Sequence, residues 1–169
     1  MTGWWAVAFV VQWVLLVVLT VVVVALARQV GTLHLRLGPR GALEIDTEGP
    51  ELGGAPPPVA ATAADGSRVM VGGPGPRRIV LFSSPTCGVC KEVAPVIGPA
   101  AAAARFAAVV VHDPALERAW DIPGTPFVVV FDGVGVVRAK GTVNNLEQVE
   151  GLLDSATRRM EEDAHGWAS

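Results

Sequence analysis

The chain has 169 residues, a formal net charge of −3 and acidic and basic side chains scattered along its length. That is room for one domain of about 100–150 residues plus an appendage. Without an extended basic run it has nothing to track a phosphate backbone, which excludes nucleic acid as a partner.

Trp4 to Ala27 is apolar except for Gln12 and Thr20. A helix over 4–27, at about 1.5 Å per residue, crosses the ~30 Å hydrocarbon layer of a bilayer once. The competing reading is a cleaved signal peptide ending at Ala25-Leu26-Ala27. The lack of Lys or Arg before the apolar run, and a run longer than the usual ~7–15 residues, favour an uncleaved single-pass anchor. Trp4 and Trp5 then sit at the membrane interface. Arg28, Arg36 and Arg40 all follow the helix, which by the positive-inside rule alone puts the remaining chain in the cytoplasm.

Residues 28–58 divide into a juxtamembrane stretch to about Ile45 and a Pro/Gly-rich linker, in which Gly49, Pro50, Gly53, Gly54 and Pro56 to Pro58 disfavour helix and central strand. The folded domain is expected over 59–163, with a short tail at 164–169. Val59 to Val71 reads as a hairpin turned at Asp65-Gly66. Arg78 to Ser83 reads as a buried strand and Lys91 to about Arg105 as an alanine-rich helix, kinked at Pro95 and with Pro99 as a candidate end. A second buried strand spans Ala107 to His112. Asp113-Pro114 then opens a short helix with Asp as N-cap, finishing near Trp120. Phe127 to Phe131 pairs with Val134 to Lys140 across an Asp132-Gly133 turn, and Asn144 or Asn145 caps a last helix to about Glu162. Leu146, Val149, Leu152, Leu153 and Ala156 form its inner face. The order β-α-β-α-β-β-α is an α/β sandwich pattern.

The two cysteines of the chain, Cys87 and Cys90, lie three apart where a buried strand passes into a helix. Free N–H groups and the macrodipole at a helix N-terminus stabilise a thiolate, which makes Cys87 the attacking thiol. Cys90, one turn on, is placed to resolve a mixed disulfide. Three other readings compete: two ordinary buried cysteines, a zinc site and an inert structural disulfide. Zinc would need ligands from the scattered His34, His112 and His165. A bridge closing so short a loop adds little stability.

Cys87-Gly88-Val89-Cys90-Lys91-Glu92-Val93-Ala94-Pro95 resembles the active-site helix of thioredoxins, C-G-x-C-K-x-x-A-P. Ile122-Pro123-Gly124-Thr125-Pro126-Phe127 resembles their I-x-x-T-P loop. This resemblance implies an α/β thioredoxin-like fold, a central mixed sheet flanked by helices, after the membrane helix, with a cis Pro126 beside the cysteines and a Thr125 backbone that pairs with a substrate strand. It also implies no metal and no cofactor beyond a redox-active Cys87–Cys90 disulfide. The chain departs from thioredoxins in having Thr86 before Cys87 and no acid in the first buried strand, so proton transfer at Cys90 is unassigned. Gly88-Val89 carries neither charge nor histidine, which favours reductase or isomerase chemistry over strong oxidation.

A wider resemblance runs from the membrane helix through R-Q-V-G-T-L-H-L-R-L-G-P-R-G-A-L (Arg28 to Leu43) to S-P-T-C-G-V-C. It is to the MauD-type thioredoxin-like accessory proteins of methylamine utilisation. What it implies is thiol–disulfide exchange on protein disulfides outside the cytoplasm, in maturation of a cysteine-rich protein, with a membrane electron donor or acceptor as second partner. Disulfide handling has its substrates in an oxidising compartment, against the arginine count. The alternative is a non-catalytic docking module on the same fold.

Overall fold

The computed structural model describes the backbone of residues 3–36 and 47–166. The chain forms two compact units, Met1–Pro39 and Arg40–Ser169. The first holds helix α1, Gly3–Arg36. Its Gly3–Val24 portion, 22 residues, is long and apolar enough to cross a bilayer once, and the side chains from Trp4 to Val24 are all exposed. Thr20 Oγ1 donates to Leu16 O at 2.8 Å, so this hydroxyl within the apolar run is satisfied by its own helix. The helix passes the expected end at Ala27 and takes in the first part of the juxtamembrane stretch; the rest of that expectation, over 37–46, lies outside the described residues, as does the end of the tail.

The second unit contains β1 (Val59–Thr62), β2 (Arg68–Val71), β3 (Arg78–Phe82), α2 (Gly88–Ala103), β4 (Ala107–Val111), α3 (Pro114–Ala119), β5 (Phe127–Phe131), β6 (Val137–Thr142) and α4 (Leu146–Gly166). Its main sheet has the order β4-β3-β5-β6, with β3 and β4 parallel and both β3/β5 and β5/β6 antiparallel. This is the expected mixed sheet, and β1 and β2 form the expected hairpin. All five residues of β3 and all five of β5 are buried. Because side chains alternate across a strand, Ile79, Leu81, Val128 and Val130 pack with α2 and α4 on one face. Val80, Phe82, Phe127, Val129 and Phe131 pack with the hairpin and α3 on the other. A sheet covered on both faces explains why these strands read as continuous apolar runs.

Helix α2 turns Val93, Ile97, Ala100 and Ala101 inward at helical spacing. It continues through Pro95 and Pro99. Each proline removes one i→i−4 bond, but the inward face stays packed, and neither proline ends the helix. Its actual stop is a Schellman arrangement: Arg105, at φ +62, follows the C-cap, with Phe106 N bonded to Ala101 O at 2.8 Å and Arg105 N to Ala102 O at 3.1 Å. Strand β6 starts three residues later than expected. The turn runs through Gly135 at φ +89, and Asp132 Oδ1 accepts from the N–H groups of Val134 and Val136, each at 2.9 Å. A register shift between Val130 and Phe131 then leaves Arg138 as an extra residue opposite β5. Asn145 Oδ1 accepts from Gln148 N at 3.0 Å and caps α4, which extends past Glu162 to Gly166. Leu146, expected on its inner face, is 42% exposed.

The stretch expected to be a linker is built into the domain. Gly53 N donates to Val137 O and Val137 N to Gly54 O, both at 2.9 Å, while Gly73 N reaches Pro56 O at 2.9 Å and Leu52 packs against the core. The residues that make it a poor helix or strand also let it lie flat along the rim of β6. Arg78 holds the neighbouring loop. Buried at the start of β3, it donates through Nη2 to Gly72 O (2.6 Å) and Gly73 O (2.7 Å), with its guanidinium 5.2 Å from the Phe131 ring centroid.

Asp113 ties two elements together, as Oδ1 accepts from Ala115 N and Leu116 N at the start of α3 and Oδ2 from Thr62 N of β1, all at 3.1 Å. The N–H of Leu116 is the largest influence holding its carboxyl below the ordinary carboxylate range. The lowered folded value means that this stabilisation is present above the unfolded-state value and is lost as pH falls through the folded one. Asp113→Ala is therefore expected to cost about 1–2 kcal/mol at neutral pH. In urea titrations the gap from the wild type should close progressively below pH ~4. A gap constant down to strongly acidic pH would contradict the role assigned to the carboxylate.

Candidate functional site

The site stands where β3 runs into α2. Strand β3 ends at Phe82, and Ser83 N still pairs with Val111 O at 3.0 Å, so the chain leaves the sheet at Ser84. A tight turn follows, with Cys87 N donating to Ser84 O at 3.1 Å and the hydroxyls of Ser84 and Thr86 3.0 Å apart. Cys87 has extended backbone (φ −80°, ψ 114°) and serves as the N-cap of α2. Its Sγ accepts from Cys90 N at 3.1 Å, the bond a Ser or Asp oxygen makes at other helix starts. Sulfur in that position meets the free N–H groups and the positive end of the helix dipole.

Cys87 and Cys90 are joined as a disulfide, with their Cα atoms 5.3 Å apart. The two sulfurs are not equivalent in access: Cys87 is half-buried and Cys90 is 2% exposed beneath it. Gly88 and Val89 between them are exposed, as are Lys91 and Glu92, which face solvent as expected. Of the pair, Cys87 is the one open to solvent.

The opposite wall is the loop between α3 and β5. α3 ends with Ile122 N bonded to Glu117 O at 2.9 Å and Asp121 at φ +55, after which the chain runs through Pro123 and Gly124 to Thr125. Thr125 O lies 3.5 Å from Cys87 Sγ, so this backbone and the outer sulfur share one surface. The Thr125–Pro126 peptide bond is cis, as expected, and Pro126 is buried, with its carbonyl accepting from Val143 N at 3.4 Å. Two segments far apart in sequence thus meet at one rim: Cys87 at the helix start and the Thr125 backbone of the facing loop are in contact there, with Cys90 and Pro126 buried behind them. Among the described residues no group of three or more His, Cys, Asp or Glu side chains is placed to hold a metal ion.

Sequence reasoning missed a second layer behind this loop. Lys140 of β6 is fully buried, and its Nζ donates to Glu48 O at 2.8 Å. Simple alternation along β6 puts Lys140 on the same outward side as Arg138; the extra residue at Arg138 changes that parity.

No protein-family model matches the chain. It is similar to the methylamine utilization protein MauD of Paracoccus versutus, with 33% identity over 85% of this chain and 84% of the relative. With the protein of the same name from Methylorubrum extorquens it shares 32% identity over 95% and 87%, and with that from Paracoccus denitrificans 31% over 92% and 90%. Among solved structures, one described as a thiol:disulfide interchange protein DsbE from Chlorobium tepidum matches 64% of this chain and 96% of its own, with TM-score 0.52 and 18% identity. One described as a protein disulfide isomerase from Bacteroides thetaiotaomicron matches 76% and 98%, with TM-score 0.53 and 18% identity. At that identity the two structures establish the fold, which is thioredoxin-like.

Proposed function

The chain belongs to the family of the methylamine utilization protein MauD, and we propose that it is a membrane-tethered enzyme exchanging disulfides with a protein substrate outside the cytoplasm. By fold and by its close cysteine pair it is a thiol–disulfide oxidoreductase. The observation that carries the proposal is the asymmetric pair at the start of α2, with the accessible sulfur 3.5 Å from the Thr125 carbonyl.

In the reducing direction the Cys87 thiolate attacks one sulfur of a substrate disulfide and expels the other as a thiolate. Helix-start N–H groups, Cys90 N among them, stabilise the attacking charge. The substrate lies extended along the Thr125 and Pro126 backbone, as an added strand would. Cys90 then attacks Cys87 Sγ, releasing the second substrate thiol and leaving the Cys87–Cys90 disulfide. Two electrons have passed to the substrate, and a dithiol electron-donor protein at the membrane returns them. A substrate with wrongly paired cysteines is isomerised by the same first step, when one of its own thiols attacks the mixed disulfide before Cys90 does.

Maturation of a cysteine-rich extracytoplasmic protein in methylamine utilisation fits the family name and this chemistry. The apolar helix supports the tether, with 4–27 as the anchor, and the working domain takes in 47–58 as well as the expected 59–163.

Replacing Cys90 by Ser removes the resolving thiol and should strand the mixed disulfide. Non-reducing electrophoresis of membranes from cells expressing Cys90→Ser is expected to show a Cys87-dependent adduct that collapses on reduction. Absence of any adduct, with the variant folded, would speak for the docking module instead. Location has its own test: in intact cells, after mild reduction, a membrane-impermeant maleimide should label the cysteines without lysis. Labelling only after lysis would put the domain in the cytoplasm, on the side the arginines favour, and end the proposed maturation role.

A further inference from the structure

We propose that Lys140 is a positioning residue for the substrate-presenting loop, acting through the Glu48–Gly49 backbone to fix both ends of residues 122–127. This rests on the exchange reading above.

Lys140 lies in the middle of β6, opposite Val129, with no solvent exposure. An ammonium removed from water must find acceptors, and one is the carbonyl of Glu48, 2.8 Å from Nζ and 92 positions earlier in the chain. The next residue is the working end of the strap. Gly49 has φ +74, a backbone conformation open to glycine and strained for side chains. Its N–H donates to Asp121 O at 3.0 Å, the last residue before the loop. A Cβ built on Gly49 would sit 3.1 Å from Phe127 Cε1 and 3.5 Å from Ile122 Cδ1. Ile122 opens the loop and Phe127 closes it, so one glycine abuts both ends of the segment that sets Thr125 against Cys87.

A loop that must accept an extended polypeptide through its backbone depends on where its ends are held. It is anchored on one side by the α3 terminus, through Ile122 N to Glu117 O, and on the other by β5. Val143 N on Pro126 O is a further tie, and the strap adds another hold from behind, with Lys140 the side chain that pins it. Small displacements of positioned groups have large kinetic consequences, and here they fall on substrate presentation more than on the sulfur chemistry, which depends on the α2 start.

The test uses the full chain in detergent or nanodiscs, with insulin as the disulfide substrate. Lys140→Met is expected to raise KM about ten-fold while kcat falls less than about three-fold, and Gly49→Ala, which crowds Phe127, to raise KM in the same direction. Amide exchange gives a readout free of turnover: in Lys140→Met, Ile122 N–H and Gly49 N–H should exchange at least about ten-fold faster while the β3 amides keep their rates. If KM stays within about two-fold in both folded variants, or if exchange speeds up throughout the sheet, Lys140 is merely structural and the inference fails. Should Lys140→Met not fold, Gly49→Ala and the wild type decide: an unprotected Gly49 amide in the wild type overturns the strap. Inactivity of the wild type towards insulin would instead strike the exchange reading, while the exchange rates still judge the strap.

Discussion

Cys87→Ser is expected to reduce insulin-disulfide reduction by about a thousand-fold or more, to the uncatalysed background, and to leave the fold in place. A serine hydroxyl is not ionised near neutral pH and does not attack sulfur usefully, so the first step is lost outright. Its oxygen can still accept from Cys90 N, and serine is among the preferred N-caps, so α2 keeps its start. The fair reference is reduced wild type, since the variant has no disulfide. Its thermal midpoint should match that reference within a few degrees, about 1 kcal/mol for a domain of this size. Activity of Cys87→Ser equal to that of the wild type would move the chemistry elsewhere. An inactive wild type with a normal fold would favour the docking module.

Gly135→Ala should be the most damaging single-methyl change in the domain, costing about 3–5 kcal/mol out of a total of about 5–15 for an ordinary domain. Two effects combine. The residue sits at φ +89, and a Cβ there would fall 2.4 Å from both C and O of Gly73 and 2.9 Å from its Cα. Those atoms are backbone, held in turn by the Gly73 N bond to Pro56 O and the Arg78 bond to Gly73 O, so they have no rotamer by which to withdraw. Gly133, two residues earlier in the same turn, is the internal control: a Cβ there would have its nearest contact at an ordinary 3.7 Å, with Gly75 O. Gly133→Ala should stay within about 0.5 kcal/mol of wild type. Guanidinium titration of the three proteins reads the difference, and similar midpoints for both variants would refute the packing account.

The β5–β6 turn also marks where reading the sequence stopped short. Asp132-Gly133 pointed to a two-residue turn, but the carboxylate of Asp132 wraps a longer one whose left-handed residue is Gly135. Side-chain acceptors of this kind carry no periodic signal. The buried strands were legible because both faces of β3 and β5 are covered, and the α3 start because Asp113-Pro114 carries its capping chemistry in two letters. Cys87, Cys90, Thr125 and Pro126 stood out through local spacing and a family pattern. Glu48–Gly49 did not, since a Pro/Gly-rich stretch that avoids helix and strand looks alike whether it waves in solvent or lies against a sheet. Lys140 was hidden twice, by its charge and by a register change that only pairing with β5 reveals.

The main sheet has its two outer strands closed in different ways. Beyond β4, the segment following β1 crosses over, with Ala63 bridged to Val111, Ala64 N on Val110 O and His112 N on Thr62 O. Beyond β6, Gly53 and Gly54 take both main-chain groups of Val137. An open rim is a template on which copies of a protein polymerise edge to edge. Clasping each rim with irregular chain shortens that template, so the ends of the sheet are guarded by main chain from the segments before β1 and after it.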